Sequence, residues 1–76
     1  MKIQILGSGC AKCRQMTAVA EQAAHDLAIH YDLEKVTDMK RFPEFGVMFT
    51  PALVIDGVVK LSGKVPSLEE AKRLMS

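Results

Sequence analysis

An α/β fold, with a four-stranded mixed sheet and three helices, is predicted for this chain of 76 residues by three observations. A short apolar strand pattern at Lys2 to Leu6 is followed at once by an alanine-rich segment with helical periodicity. A two-residue Asp56-Gly57 turn joins two apolar runs. Ser67, three residues before Glu70 and directly after Pro66, marks the start of a last helix.

Each element has its own local reason. Ile3, Ile5 and Leu6 make a short buried strand that ends at Gly7-Ser8-Gly9. From Ala11 to about Ile29 the spacing of Met16, Ala20, Ala23 and Leu27 draws one apolar helical stripe, and alanines at 18, 20, 23 and 24 favour the helix. Ile29, Tyr31 and Leu33 then alternate with His30, Asp32 and Glu34, predicting a half-buried edge strand that runs to Val36. Thr37 or Asp38 can cap a short helix over 39–45, which Gly46 terminates and Pro43 kinks or shortens. Ala52 to Ile55 and Val58 to Leu61 form the hairpin, and the last helix runs through Leu74. The order is strand, helix, strand, helix, hairpin, helix. A right-handed crossover makes the first two strands parallel, adds the hairpin antiparallel and sets helices on both faces.

Length, composition and charge narrow the function. A chain this short, 49% hydrophobic and 25% charged, fits one domain over residues 1–76. It leaves little room for a deep substrate pocket. Ten basic residues stand against nine acidic ones, scattered rather than clustered, which argues against a nucleic-acid footprint. No apolar run approaches the ~18 residues of a membrane span, and Ile3 to Leu6 is too short for a signal-peptide core, so a cytoplasmic protein is expected. Gly7 stands where a lipoprotein signal at Cys10 would carry an aliphatic residue.

The cysteines are Cys10 and Cys13. As a structural staple the pair closes a loop of about four residues and contributes only about 2 kcal/mol by chain entropy, a weak reason to have it. Without an export signal, a C-x-x-C pair points to redox catalysis or metal binding. Cys10 falls at the helix start, where unpaired N–H groups and the helix dipole stabilise a thiolate, and Lys12 adds positive charge. That assigns Cys10 as nucleophile. Cys13, one turn inward on the same face, is more shielded and is the resolving thiol.

Other residues have plainer readings. Met16 extends the series Cys10, Cys13, Met16, yet its place on the apolar stripe makes it a core residue rather than a soft-metal ligand. His25 lies 15 positions from Cys10, about 22 Å along a helix, too far for a Cys-His dyad. His25 and His30 are read as surface residues. Phe42, Phe45, Val47, Met48 and Phe49 could line an apolar rim for protein substrates, but core packing is the expected fate of most.

Gly7-Ser8-Gly9-Cys10-Ala11-Lys12-Cys13 between first strand and first helix, Thr50-Pro51 before the third strand, and the Asp56-Gly57 hairpin occur together in this order. With these features the sequence resembles the thioredoxin superfamily, and within it the small glutaredoxin-like, redox-active disulfide proteins. The resemblance spans the chain. It implies a thioredoxin fold and a monomeric thiol-disulfide oxidoreductase needing no bound cofactor or metal. Its substrate would be a disulfide-containing protein or small molecule, and its partner a reductase or thiol donor. It also implies that Pro51 is cis and faces the cysteines, with Thr50 offering its backbone to an extended substrate segment.

Two positions depart from larger thioredoxins: Gln4 stands where they carry a buried acid and cannot act as a base, and Gly9 stands where they carry Trp. Gly63-Lys64-Val65-Pro66-Ser67 is only loosely similar to the glutathione-binding region of glutaredoxins. One rival reading is a soft-metal carrier for copper or zinc, since copper chaperones place C-x-x-C at the same junction. Those chains carry Met two residues before the first cysteine, where this one has Ser8, and end in a strand rather than a helix. Another is a redox-sensing binding module that controls a partner without turnover.

Overall fold

The computed structural model describes residues 1–9 and 11–76. Strand β1 (Lys2–Leu6), helix α1 (Ala11–Asp26), strand β2 (Asp32–Val36), a 3-10 helix (Met39–Phe45), strands β3 (Ala52–Ile55) and β4 (Val58–Ser62), and helix α2 (Leu68–Met75) follow in that order. The sheet order is β2-β1-β3-β4, with β1 parallel to β2 and antiparallel to β3, and β3 antiparallel to β4. This is the thioredoxin arrangement. It puts β2 at an edge, where its alternating polar residues are tolerated.

Strand periodicity divides the core in two. Ile3, Ile5, Leu53 and Ile55 point to one face and pack against Met16, Ala20, Ala23 and Ala24 of α1 and Ala71 and Met75 of α2. Leu6, Val36, Ala52 and Val54 point to the other, where Phe42 and Val47 cover them. The alanines let α1 sit close to the sheet, and each fully buried Ile or Leu contributes about 1.5–3 kcal/mol of transfer free energy.

Helix ends follow their caps. Asp38 Oδ1 accepts from the Lys40 amide at 2.9 Å, and Gly46, at φ 74°, closes the segment with its N–H bonded to the Pro43 carbonyl. Pro43 inside the segment has no N–H to give, which suits a short 3-10 helix. Ser67 Oγ accepts from the Glu70 amide at 3.1 Å at the start of α2, while the Glu70 carboxylate reaches out to Lys64 at 3.9 Å.

Two boundaries differ from the sequence reading. Helix α1 stops at Asp26 and β2 begins at Asp32, so residues 29–31 are connection rather than strand. The Ala28 and Ile29 amides close the helix on the His25 and Ala24 carbonyls, with Ala28 at φ 56°, and Ile29 and Tyr31 still pack on the core. Alternation there reflects packing of an extended connection, not a ladder. For the same reason Leu27, beyond the helix end, is 37% exposed, and Ala24 takes the place the stripe assigned to it. No helix among the described residues is long and apolar enough to cross a membrane.

Candidate active site

The site lies at the carboxyl ends of β1 and β2, where α/β sheets open a crevice at the start of the connecting helix. Gly7 continues β1 and donates its N–H to the Val36 carbonyl at 3.0 Å. Ser8 and Gly9 are exposed, Gly9 at φ 85°, and α1 opens at Ala11 with no acidic residue in its first turn. The positive potential of its free N–H groups is therefore not offset from within the helix. Cys10, the predicted nucleophile, lies outside the described residues.

Cys13 is 5% exposed, and its carbonyl accepts from Thr17 Oγ1 at 3.0 Å one turn further along α1. Its sulfur rests against Gly7. A Cβ placed on Gly7 would collide with Cys13 Sγ, and would lie 3.3 Å from Cys13 Cβ and 3.9 Å from the Pro51 Cα. Three chain segments thus meet at one point: the end of β1, the first turn of α1 and the residue before β3. The Thr50-Pro51 peptide bond is cis. Pro51 is buried and its carbonyl accepts from the Gly63 amide at 2.9 Å, whereas Thr50 is exposed.

The apolar segment before Pro51 splits. Phe42 and Val47 are buried and Phe45 half-buried, but Met48 and Phe49 are 88% and 66% exposed. Phe49 lies over Gly63, where a Cβ would stand 3.3 Å from its own Cβ. Lys12 is exposed on the first turn of α1. Met16 is fully buried, and His25 and His30 are exposed at positions remote in sequence from Cys13.

Gln4 is nearly buried and is held by a carboxylate. Its Nε2 donates to Glu34 Oε1 at 2.8 Å, and Arg41 Nη1 reaches Glu34 Oε2 at 3.3 Å. The Gln4 hydrogen bond first, and the Arg41 one second, hold the Glu34 carboxyl below the usual carboxylate range. By strand parity Gln4 shares the 3-10 helix side of the sheet with Leu6, while residues 3, 5 and 7 face α1.

Beside Cys13 a cleft of about 180 Å³ runs between α1 and the end of β2, with Ile5 and Gly7 as its floor. Arg14, Thr17, Lys35 and Thr37 also line it; of these the sequence motifs mark only Thr37, and that as a candidate helix cap. The motifs mark Gly7 as a strand end and as the first residue of the cysteine loop, not as a contact of Cys13. The two-residue period of Ile3 and Ile5 already carried its role, because it points position 7 at the helix that bears Cys13.

A family profile described as "Thioredoxin domain" matches residues 1–76. A protein named thioredoxin from Methanothermobacter thermautotrophicus is 41% identical over 76 residues, covering 100% of this chain and 99% of the relative. A thioredoxin from Methanocaldococcus jannaschii is 40% identical over 70 residues, covering 92% of this chain and 80% of the relative. A probable thioredoxin, also from Methanothermobacter thermautotrophicus, is 34% identical over 64 residues, covering 80% and 74%.

Proposed function

This chain belongs to the thioredoxin family, and from that premise we propose that it is a thiol-disulfide oxidoreductase in which Cys10 attacks and Cys13 resolves. The observation that carries the reading is the seat of Cys13: a buried sulfur against a glycine backbone, in the first turn of a helix, next to Pro51. Such a sulfur is shielded from bulk substrate, and in the sequence it stands three positions after Cys10.

The chemistry balances with no added cofactor. The Cys10 thiolate attacks one sulfur of a substrate disulfide, the S–S bond breaks, and the departing thiolate takes a proton. The Cys13 thiolate then attacks the Cys10 sulfur of the mixed disulfide and releases the second substrate thiol, also protonated. Two electrons pass from the cysteine pair to the substrate, and the pair is left as a disulfide. A reductase or thiol donor reverses that step for the next cycle.

Around this pair the roles are distributed by position. The start of α1 and the exposed Lys12 favour the Cys10 thiolate. Exposed Thr50 offers its backbone to an extended substrate segment by strand addition, and buried Pro51 closes the surface over the Gly7 contact.

Turnover with a protein disulfide tests the reading. With dithiothreitol as donor and insulin as substrate, wild-type protein accelerates reduction well above the dithiothreitol background, and Cys10→Ser or Cys13→Ser returns the rate to that background. A wild-type rate equal to the background would remove the oxidoreductase assignment.

A further inference from the structure

We infer that the cleft beside Cys13 is a subsite for the acidic arm of a small organic disulfide, a molecule carrying a carboxylate two or three carbons from its sulfur. The inference rests on the oxidoreductase reading above and specifies which small disulfides the site prefers.

Charge is the first argument. The register pairs Lys35 with Ile5, and Ile5 faces α1, so Lys35 stands on the helix side of the sheet at the exposed edge strand. Arg14 on α1 lines the same cleft. Four of the other eight cations are matched, Lys2 and Arg41 with Glu34, Lys64 with Glu70 and Lys72 with Asp26, and Lys12, Lys40, Lys60 and Arg73 line no cleft with a second cation. Among the described residues neither Arg14 nor Lys35 has such a carboxylate within ion-pair distance, and no acidic side chain lines the cleft. Two cations facing a concave surface without a counter-charge favour an anion there.

Size and placement supply the second argument. At about 180 Å³ the cleft has the volume of about six water molecules, enough for a short acidic chain and too little for a folded segment. Thr17 and Thr37 are among its lining residues, and Thr17 is 8% exposed with its hydroxyl donating to the Cys13 carbonyl. Gly9 and Cys13 both line the cleft, so an arm held there is bound beside Cys13. The reaction is unchanged: the protein dithiol becomes a disulfide, and the acidic disulfide becomes two thiols.

The test compares kcat/KM for three small disulfides: dithiodipropionate (anionic), bis(2-hydroxyethyl) disulfide (neutral) and cystamine (cationic). Wild type reduces the anionic compound several-fold faster than the neutral one, relative to their rates with free dithiothreitol. In Arg14→Gln/Lys35→Gln that ratio falls by about fivefold, as expected for two partly exposed charge contacts. A control with the same charge change, Lys60→Gln/Arg73→Gln, keeps the ratio. Equal ratios in all three proteins, or equal losses in both variants, would overturn the inference.

Binding of redox-inert 3-(methylthio)propionate, followed by amide chemical shifts, gives a readout independent of turnover. Shifts at Arg14, Lys35 and Thr37 that vanish in the cleft variant support the subsite even if no disulfide is reduced, in which case the oxidoreductase reading alone fails. No shifts at those residues would count against the subsite whatever the turnover.

Discussion

Gly7 and Cys13 are in backbone-to-sulfur contact, and the contact exists only because residue 7 has no side chain: a Cβ there would overlap Cys13 Sγ. One glycine at the end of β1 thus fixes where the sulfur on α1 can sit.

Gly7→Ala therefore displaces the Cys13 sulfur or lifts the first turn of α1. Overpacking of this kind costs about 1–3 kcal/mol. Urea denaturation should show a loss in that range, and insulin reduction should fall at least tenfold at temperatures where the variant is still folded. A variant with wild-type stability and rate would show that the sulfur has another place to go.

The exposed pair Met48 and Phe49 precedes Thr50 and Pro51, and large exposed apolar side chains beside a reactive site mark a contact surface for protein. Met48→Ser/Phe49→Ser should raise KM for insulin several-fold while leaving reduction of bis(2-hydroxyethyl) disulfide within about twofold. Equal losses on both substrates would place the defect in the cysteine pair instead.

Glu34 links β1, β2 and the 3-10 helix through Gln4 and Arg41, and those partners lower its pKa in the folded state. A carboxyl depressed on folding stabilises the protein above its unfolded pKa, and that contribution is lost as pH falls through the folded value. Glu34→Gln should thus be less stable than wild type at pH 7, with the gap shrinking below roughly pH 4, where the carboxyl is protonated in unfolded chains. A gap independent of pH from 7 to 3 would show that the charge on Glu34 is irrelevant to the network.

The sequence makes most of this fold legible because its signals are local. The Asp56-Gly57 turn, the Gly46 stop and the Ser67 cap each act within a few residues and stand where the sequence puts them, and of the two candidate caps Thr37 and Asp38 the structure uses Asp38. The strand starts at Asp32 rather than Ile29 because an extended connection that packs Ile29 and Tyr31 shows the same alternation as a strand. The Gly7 contact and the Arg14-Lys35 cleft depend on how α1 lies across β1 and β2, a tertiary relation without a motif of its own. The fate of the segment at 42–49 is also tertiary: Phe42 and Val47 find the second core, while Met48 and Phe49 are left outside it.

The unequal roles proposed for the two sulfurs are tested most directly by covalent trapping. Each single-serine variant is reduced, mixed with a disulfide substrate, quenched with acid and weighed by mass spectrometry. Cys13→Ser leaves Cys10 able to attack and nothing to resolve the product, so a mixed disulfide should accumulate and disappear on adding dithiothreitol. In Cys10→Ser the remaining sulfur is the buried one against Gly7, and little adduct should form in the same time. Equal trapping by both variants, or trapping by Cys10→Ser alone, would contradict the account.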